Sequence, residues 1–186
     1  MVRTETPICD FNQPAIDFNL IGVDGNYYNL DSLKGQNGLL IMFICNHCPY
    51  VKSVIHRIIR DANELKDLGV NSVAIMSNDP TEYEEDSFEN MKKIAIEMNF
   101  PFPYLIDKTQ EIAKSYGAVC TPDFFGYNNN LGLQYRGRLD ESRKETVQDA
   151  RRDLFEAMKD IALTGLGPKD QIPSMGCSIK WLDESC

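Results

Sequence analysis

Apolar residues fall along this chain in distinct rhythms, and each rhythm predicts a different element. Residues 38–45, GLLIMFIC, run without alternation for about the length of a strand, as expected of a strand covered on both faces. From 47 to 68 the apolar positions Val51, Val54, Ile55, Ile58, Ile59, Ala62 and Leu65 recur at helical spacing. That spacing predicts a helix beginning at the cysteine pair Cys45 and Cys48. Val70–Met76, VNSVAIM, reads as a second buried strand, and the intervening helix supplies the crossover that a parallel strand pair requires.

The rest of the pattern extends this α/β plan. Asp24-Gly25, flanked by apolar residues within 16–30, predicts an amino-terminal hairpin, and residues 31–35 predict one helical turn closed by Gly35. Residues 82–99 predict a helix whose first turns carry the acids of EYEEDSFEN, where the macrodipole favours them; the run reads as a solvated helix start. A short strand is expected at Tyr104–Ile106, then a helix ending near Gly117, with Asp107 and Gln110 as its capping pair. Residues 123–139 predict two strands around an Asn-rich turn, and 141–163 a long amphipathic helix. The expected architecture is one domain over residues 1–163, a central mixed sheet flanked by helices with an amino-terminal β-hairpin extension. Residues 164–186 form a tail packed on it, anchored by Trp181.

Composition narrows the function. A chain of 186 residues buries enough surface to need neither disulfide nor metal for its core. With 28 acids against 19 bases, its net charge of -9 argues against nucleic acid as a partner, since that affinity rests on cations neutralising phosphates. The run 38–45 is about a third of what a membrane-spanning helix needs. The start MVRTETPICDFN has no apolar signal region, so a cytoplasmic protein with no membrane partner is expected.

In a reducing compartment, cysteines are more often reactive, metal-binding or simply buried than joined in permanent staples. Three chemistry-bearing residues, Cys45, His47 and Cys48, crowd the junction between the buried strand and the helix. A cysteine in a helix's first turn meets unpaired backbone N–H groups and the positive dipole end, both of which favour thiolate. Cys45 is therefore expected to be the most acidic thiol, with His47 adding positive charge and Cys48 close enough to form a disulfide. Zinc ligation by Cys45, His47, Cys48 and either Cys120 or Cys177 is the competing reading, and inert packing a third. Cys120, two positions before Pro122, is either an auxiliary thiol or a packing residue, and Cys177 either an auxiliary or a structural one. His56 reads as a packing or surface residue; Cys9 and Cys186 are assigned nothing.

The segments PAIDFNLIGVDG, FICNHCPYVK, AIMSNDP, DSFENM, FPFPYLID and YGAVCTPDFF give the chain a specific likeness. It resembles the thioredoxin-like superfamily, in the redoxin branch related to alkyl hydroperoxide reductase and thiol-specific antioxidant proteins. Its ending PSMGCSIKW is similar to that of a bacterial subgroup. The resemblance implies a thioredoxin-like fold, Cys45 as nucleophile and Cys48 as resolving cysteine. It also implies a cis-proline at Pro122, with Thr121 offering backbone groups to a bound polypeptide or thiol. The expected activity is thiol-disulfide oxidoreduction through a mixed disulfide, with no organic cofactor. A disulfide-containing protein or small thiol is the substrate and a thiol reductant the other partner. A peroxiredoxin-like peroxidase is the alternative, with Arg136 or Arg138 supplying the arginine of a peroxide pocket; a metal-binding or assembly protein using the same cysteines is the second.

Overall fold

The computed structural model describes residues 3–182. In chain order these form β1 (Arg3–Glu5), β2 (Leu20–Gly22), β3 (Tyr27–Tyr28), α1 (Leu30–Leu33), β4 (Gly38–Phe43), α2 (Pro49–Lys52), α3 (Ile55–Asp67), β5 (Val70–Met76), a 3-10 turn (Glu84–Asp86), α4 (Phe88–Glu97), β6 (Tyr104–Ile106), α5 (Glu111–Tyr116), β7 (Cys120–Thr121), β8 (Asp123–Asn128), β9 (Leu133–Tyr135), α6 (Asp153–Thr164) and β10 (Met175–Ser178). The large sheet has the order β3-β2-β6-β5-β4-β8-β9. Its centre, β4 with β5 and β5 with β6, is parallel, and the outer pairs are antiparallel. This is the mixed, helix-flanked sheet that the apolar rhythm predicts, with the hairpin turning at Asp24-Gly25.

Successive side chains of a strand point to opposite faces, and the two faces build separate cores. Leu40 and Met42 of β4, with Ala74, Met76, Tyr104 and Phe124, pack under α3, α4 and α6. Leu39, Ile41 and Phe43 pack on the other face with Val73, Ile75, Leu105 and Phe125 beneath α1 and α5. Every residue of β4 is buried, which is why the run is apolar throughout. Among the described residues no helix is long and apolar enough to cross a membrane.

Three predicted helices are shorter than their patterns suggest. The helix expected from 47 begins instead at Pro49 and is interrupted at Ser53 and Val54. Proline suits the first helical position because its missing N–H would have no partner there, so Cys48 becomes the N-cap and Cys45 lies outside the helix. In the second, Ser87 starts α4 by accepting a bond from Asn90 N, and the acids before it fold into the 3-10 turn. The third begins only at Asp153, because residues 141–152 are stapled to the α2–α3 region by long-range bonds. Arg57 donates to Asp140 Oδ2 and to Ser142 Oγ at 3.0 Å, and Thr146 Oγ1 to Ser53 O at 2.7 Å. The Asp107–Gln110 pair also differs from a capping box: Asp107 Oδ2 accepts Ala113 N at 2.9 Å, while Gln110 turns its side chain to Ser77 O and Lys180 O.

Residues 166–182 lie against the body. β10 is the middle strand of a small second sheet, order β1-β10-β7. Ile179 enters the core beneath α1 and α5, Lys180 N donates to Asn78 Oδ1 at 2.9 Å, and Leu182 N donates to Gln110 Oε1 at 2.8 Å. Trp181 contributes less burial than expected, remaining 40% exposed beside the Lys114 ammonium.

Candidate active site

The strand β4 delivers the loop 44–48 to the end of the sheet, and one buried carboxylate shapes that loop. Asp86 Oδ1 accepts the backbone N–H of Asn46 at 2.8 Å and of His47 at 3.1 Å. Its Oδ2 lies 2.5 Å from His47 Nδ1 and accepts Asn78 Nδ2 at 3.1 Å. Both oxygens of an ionised carboxylate accept, so the proton on Nδ1 points at Asp86. The His47 ring stacks on Tyr83 at 3.8 Å, its Nε2 buried without a hydrogen-bond partner among the described residues. Asn46 is pinned as well, donating to Glu85 O at 2.7 Å and accepting from Tyr104 OH at 3.0 Å. Burial alone would push the Asp86 carboxyl up, but bonds from His47 and Asn78 outweigh it and hold the group below its ordinary value.

Both cysteines of the pair converge on Thr121, across the sheet from them. Cys45 Sγ lies 3.3 Å from Thr121 Oγ1 and 3.6 Å from His47 Nδ1. Cys48, as a thiol, donates to Thr121 O at 3.1 Å. The next peptide bond, Thr121-Pro122, is cis. Thr121 also faces the tail, since β10 pairs with β7 in the register Cys177↔Thr121.

The electrostatics differ from the sequence expectation that Cys45 is the most acidic thiol. Burial, with the Cys48 sulfur and the Asp86 charge beside it, pushes Cys45 well up. Cys48 is the sulfur its surroundings ionise: hydrogen bonds from the Cys177 and Cys45 thiols, aided by Thr121 and the Val51 N–H, outweigh burial. The reason is the setting of the sulfur, with the Cys177 and Cys45 thiols beside it.

The remaining candidates separate. Cys177 joins the site and is held protonated by its bond to Cys48 and by burial. Cys120 Sγ turns to Pro122 O at 3.7 Å, and burial pushes its thiol up. Arg136 is committed to Asp123 Oδ2 at 3.0 Å and Gly117 O at 2.7 Å, and Arg138 to Asp153 Oδ2 at 2.7 Å. For a metal, Cys45, His47 and Asp86 bring ligand atoms within 4.8 Å of one another, although His47 Nδ1 is already engaged by Asp86. Sequence reasoning missed Asp86, Tyr83 and Asn78. The first two sit in or beside an acid-rich run that looks like solvated surface, and only the sharp turn of the 3-10 segment directs Asp86 inward.

Known proteins share this fold at several distances. An uncharacterized conserved protein from Geobacillus kaustophilus is 46% identical over 100% of this chain and 99% of its own, with a TM-score of 0.93. A hypothetical protein from Sinorhizobium meliloti 1021 is 34% identical over 97% of this chain and 99% of its own, with a TM-score of 0.92. The thioredoxin domain of a thiol-disulfide oxidoreductase from Bacteroides vulgatus, 20% identical over 72% of this chain and 89% of its own, shares the fold at a TM-score of 0.57. No curated protein matches the sequence significantly. The AhpC/TSA family profile matches residues 11–142, a span that runs from before the hairpin through both cysteines and Pro122. The chain therefore belongs to the AhpC/TSA family, as a redoxin of thioredoxin-like fold.

Proposed function

We propose that this redoxin is a thiol-disulfide oxidoreductase whose working pair is Cys45 and Cys48. The observation that carries the reading is the convergence of both sulfurs on Thr121, at 3.3 and 3.1 Å, at the exit of the central strand. Cys45, in the loop, attacks one sulfur of a substrate disulfide, forming a mixed disulfide and expelling the other half as a thiolate. The Thr121 hydroxyl lies where it stabilises the Cys45 anion for that attack. Cys48, its thiolate favoured by the bond from Cys177, then attacks Cys45 Sγ; the Cys45–Cys48 bond forms and the second substrate thiol leaves. A thiol reductant restores the pair. The substrate class is a disulfide-bearing protein or small disulfide, and buried thiols such as Cys45, Cys48 and Cys120 suit a reducing compartment such as the cytoplasm.

At 1% and 0% exposure, Cys45 and Cys48 are out of a partner's reach until the loop or the tail strand moves. The ionised state of Cys48 favours a second reading, in which Cys48 attacks peroxide and Cys45 resolves the sulfenic acid. With Arg136 and Arg138 both committed elsewhere, the disulfide reading is the better supported. The two are separated by Cys45→Ser and Cys48→Ser, tested for trapped partners on non-reducing gels and for peroxide-driven sulfenic acid. The oxidoreductase requires Cys48→Ser to accumulate mixed disulfides at Cys45. Rapid sulfenic acid at Cys48 in Cys45→Ser, with nothing trapped by Cys48→Ser, would establish the peroxidase instead.

A further inference from the structure

The tail brings a third sulfur to the site that the two-cysteine cycle leaves unused. Cys177 stands opposite Thr121, the residue on which Cys45 and Cys48 converge, and its thiol is hydrogen-bonded to the Cys48 sulfur. All three cysteines belong to one buried cluster. The strand that carries Cys177 is held firmly: β10 pairs with β1 and β7, Ser174 Oγ donates to Pro122 O at 2.8 Å, and Ser174 N to Thr6 Oγ1 at 3.0 Å. Gly176 permits this approach, since a Cβ there would overlap the Thr121 carbonyl. Packing alone would be served by any small apolar side chain, whereas sulfur against sulfur is the geometry of thiol-disulfide exchange.

We propose that Cys177 is a third redox centre, which exchanges with the Cys45–Cys48 disulfide to form a Cys48–Cys177 disulfide and return Cys45 to the thiol. This rests on the two-cysteine reading above. Cys177 gives up its proton and its sulfur attacks Cys48 Sγ. The Cys48–Cys177 bond forms as the Cys45–Cys48 bond breaks, the electron pair of the broken bond leaves on Cys45 sulfur, and Cys45 takes up a proton. No net oxidation occurs, so the exchange needs no further oxidant. The surroundings gate it correctly. In the reduced protein the Cys48 anion keeps Cys177 protonated; a Cys48 already in a disulfide carries no charge, so the largest upward push on the Cys177 thiol is gone and burial alone opposes Lys180 and Lys144. The disulfide is thereby moved onto the tail strand, and Cys45 is again a thiol.

Trypsin places Cys45 and Cys48 together on peptide 35–52 and Cys177 on peptide 170–180, so the two disulfides are distinguishable by mass. Wild type, Cys45→Ser and Cys177→Ser are oxidised with glutathione disulfide while folded, quenched in acid, alkylated and digested without reduction. Expected are the joined peptides as the main oxidised product of Cys45→Ser, with loss of both its thiols at Cys48 and Cys177. Wild type should give both forms and Cys177→Ser the internal disulfide alone. Cys45→Ser left unjoined, with Cys48 reduced or carrying glutathione, while Cys177→Ser still closes Cys45–Cys48, overturns the third centre and spares the two-cysteine reading. Failure of Cys177→Ser to close that bond sinks the two-cysteine reading itself. If Cys45→Ser does not fold, absence of the joined peptides from oxidised wild type overturns the proposal.

Discussion

Asp86 offers the sharpest test of how the site is held. In Asp86→Asn the amide oxygen still accepts Asn46 N and His47 N, but an NH2 group now faces His47 Nδ1 and Asn78 Nδ2. Two hydrogen bonds to a charged acceptor are lost, at about 1.5–3 kcal/mol each. A change of His47 tautomer recovers part of this, leaving a destabilisation of about 3 kcal/mol at neutral pH. For a domain of this size that lowers Tm by roughly 6–12 °C. The pH dependence follows from the direction of the shift: the folded carboxyl titrates below its ordinary value of 3.8. Its contribution is therefore complete above the unfolded value and disappears as pH falls through the folded one. Urea unfolding of wild type and Asp86→Asn, followed by far-ultraviolet circular dichroism in reducing buffer, should show the full gap at about pH 7 and a smaller one near pH 3. Equal stability at neutral pH, or a gap that widens on acidification, would refute the assignment of the carboxylate as the clamp of the loop.

Two further outcomes are expected. Alkylation by iodoacetamide, mapped by site against pH, should have its midpoint for Cys48 below that for Cys45; the reverse order would show that the Asp86 charge and burial do not govern Cys45. Gly176→Ala should force β10 from β7, costing about 1–3 kcal/mol and accelerating labelling of Cys45 and Cys48 by a small aromatic disulfide, whereas unchanged labelling would mean that the tail does not cover the pair.

Local pattern was enough to determine the middle of this protein. The unbroken apolar run 38–45 had to be a doubly covered strand, the helical spacing after it had to cross over to Val70–Met76, and Asp24-Gly25 had to turn a hairpin. Those features depend on neighbours a few residues apart, so the chain states them directly. The same reading placed Cys45 and Cys48 where β4 ends, because a strand's exit is fixed by where its apolar run stops.

Tertiary structure decided what surrounds the pair. Asp86 reaches the loop from 39 and 40 residues away, and Thr121 from 73 and 76. Residues 141–152 are tied to the α2–α3 region through Ser142, Thr146 and Arg152, long-range bonds that the helical rhythm does not register. Which thiolate is favoured turned on a carboxylate folded inward beside Cys45 and on a tail strand that sets Cys177 against Cys48. Each of these is a through-space relation of charge or hydrogen bonding between residues distant in sequence, and periodicity carries no information about it.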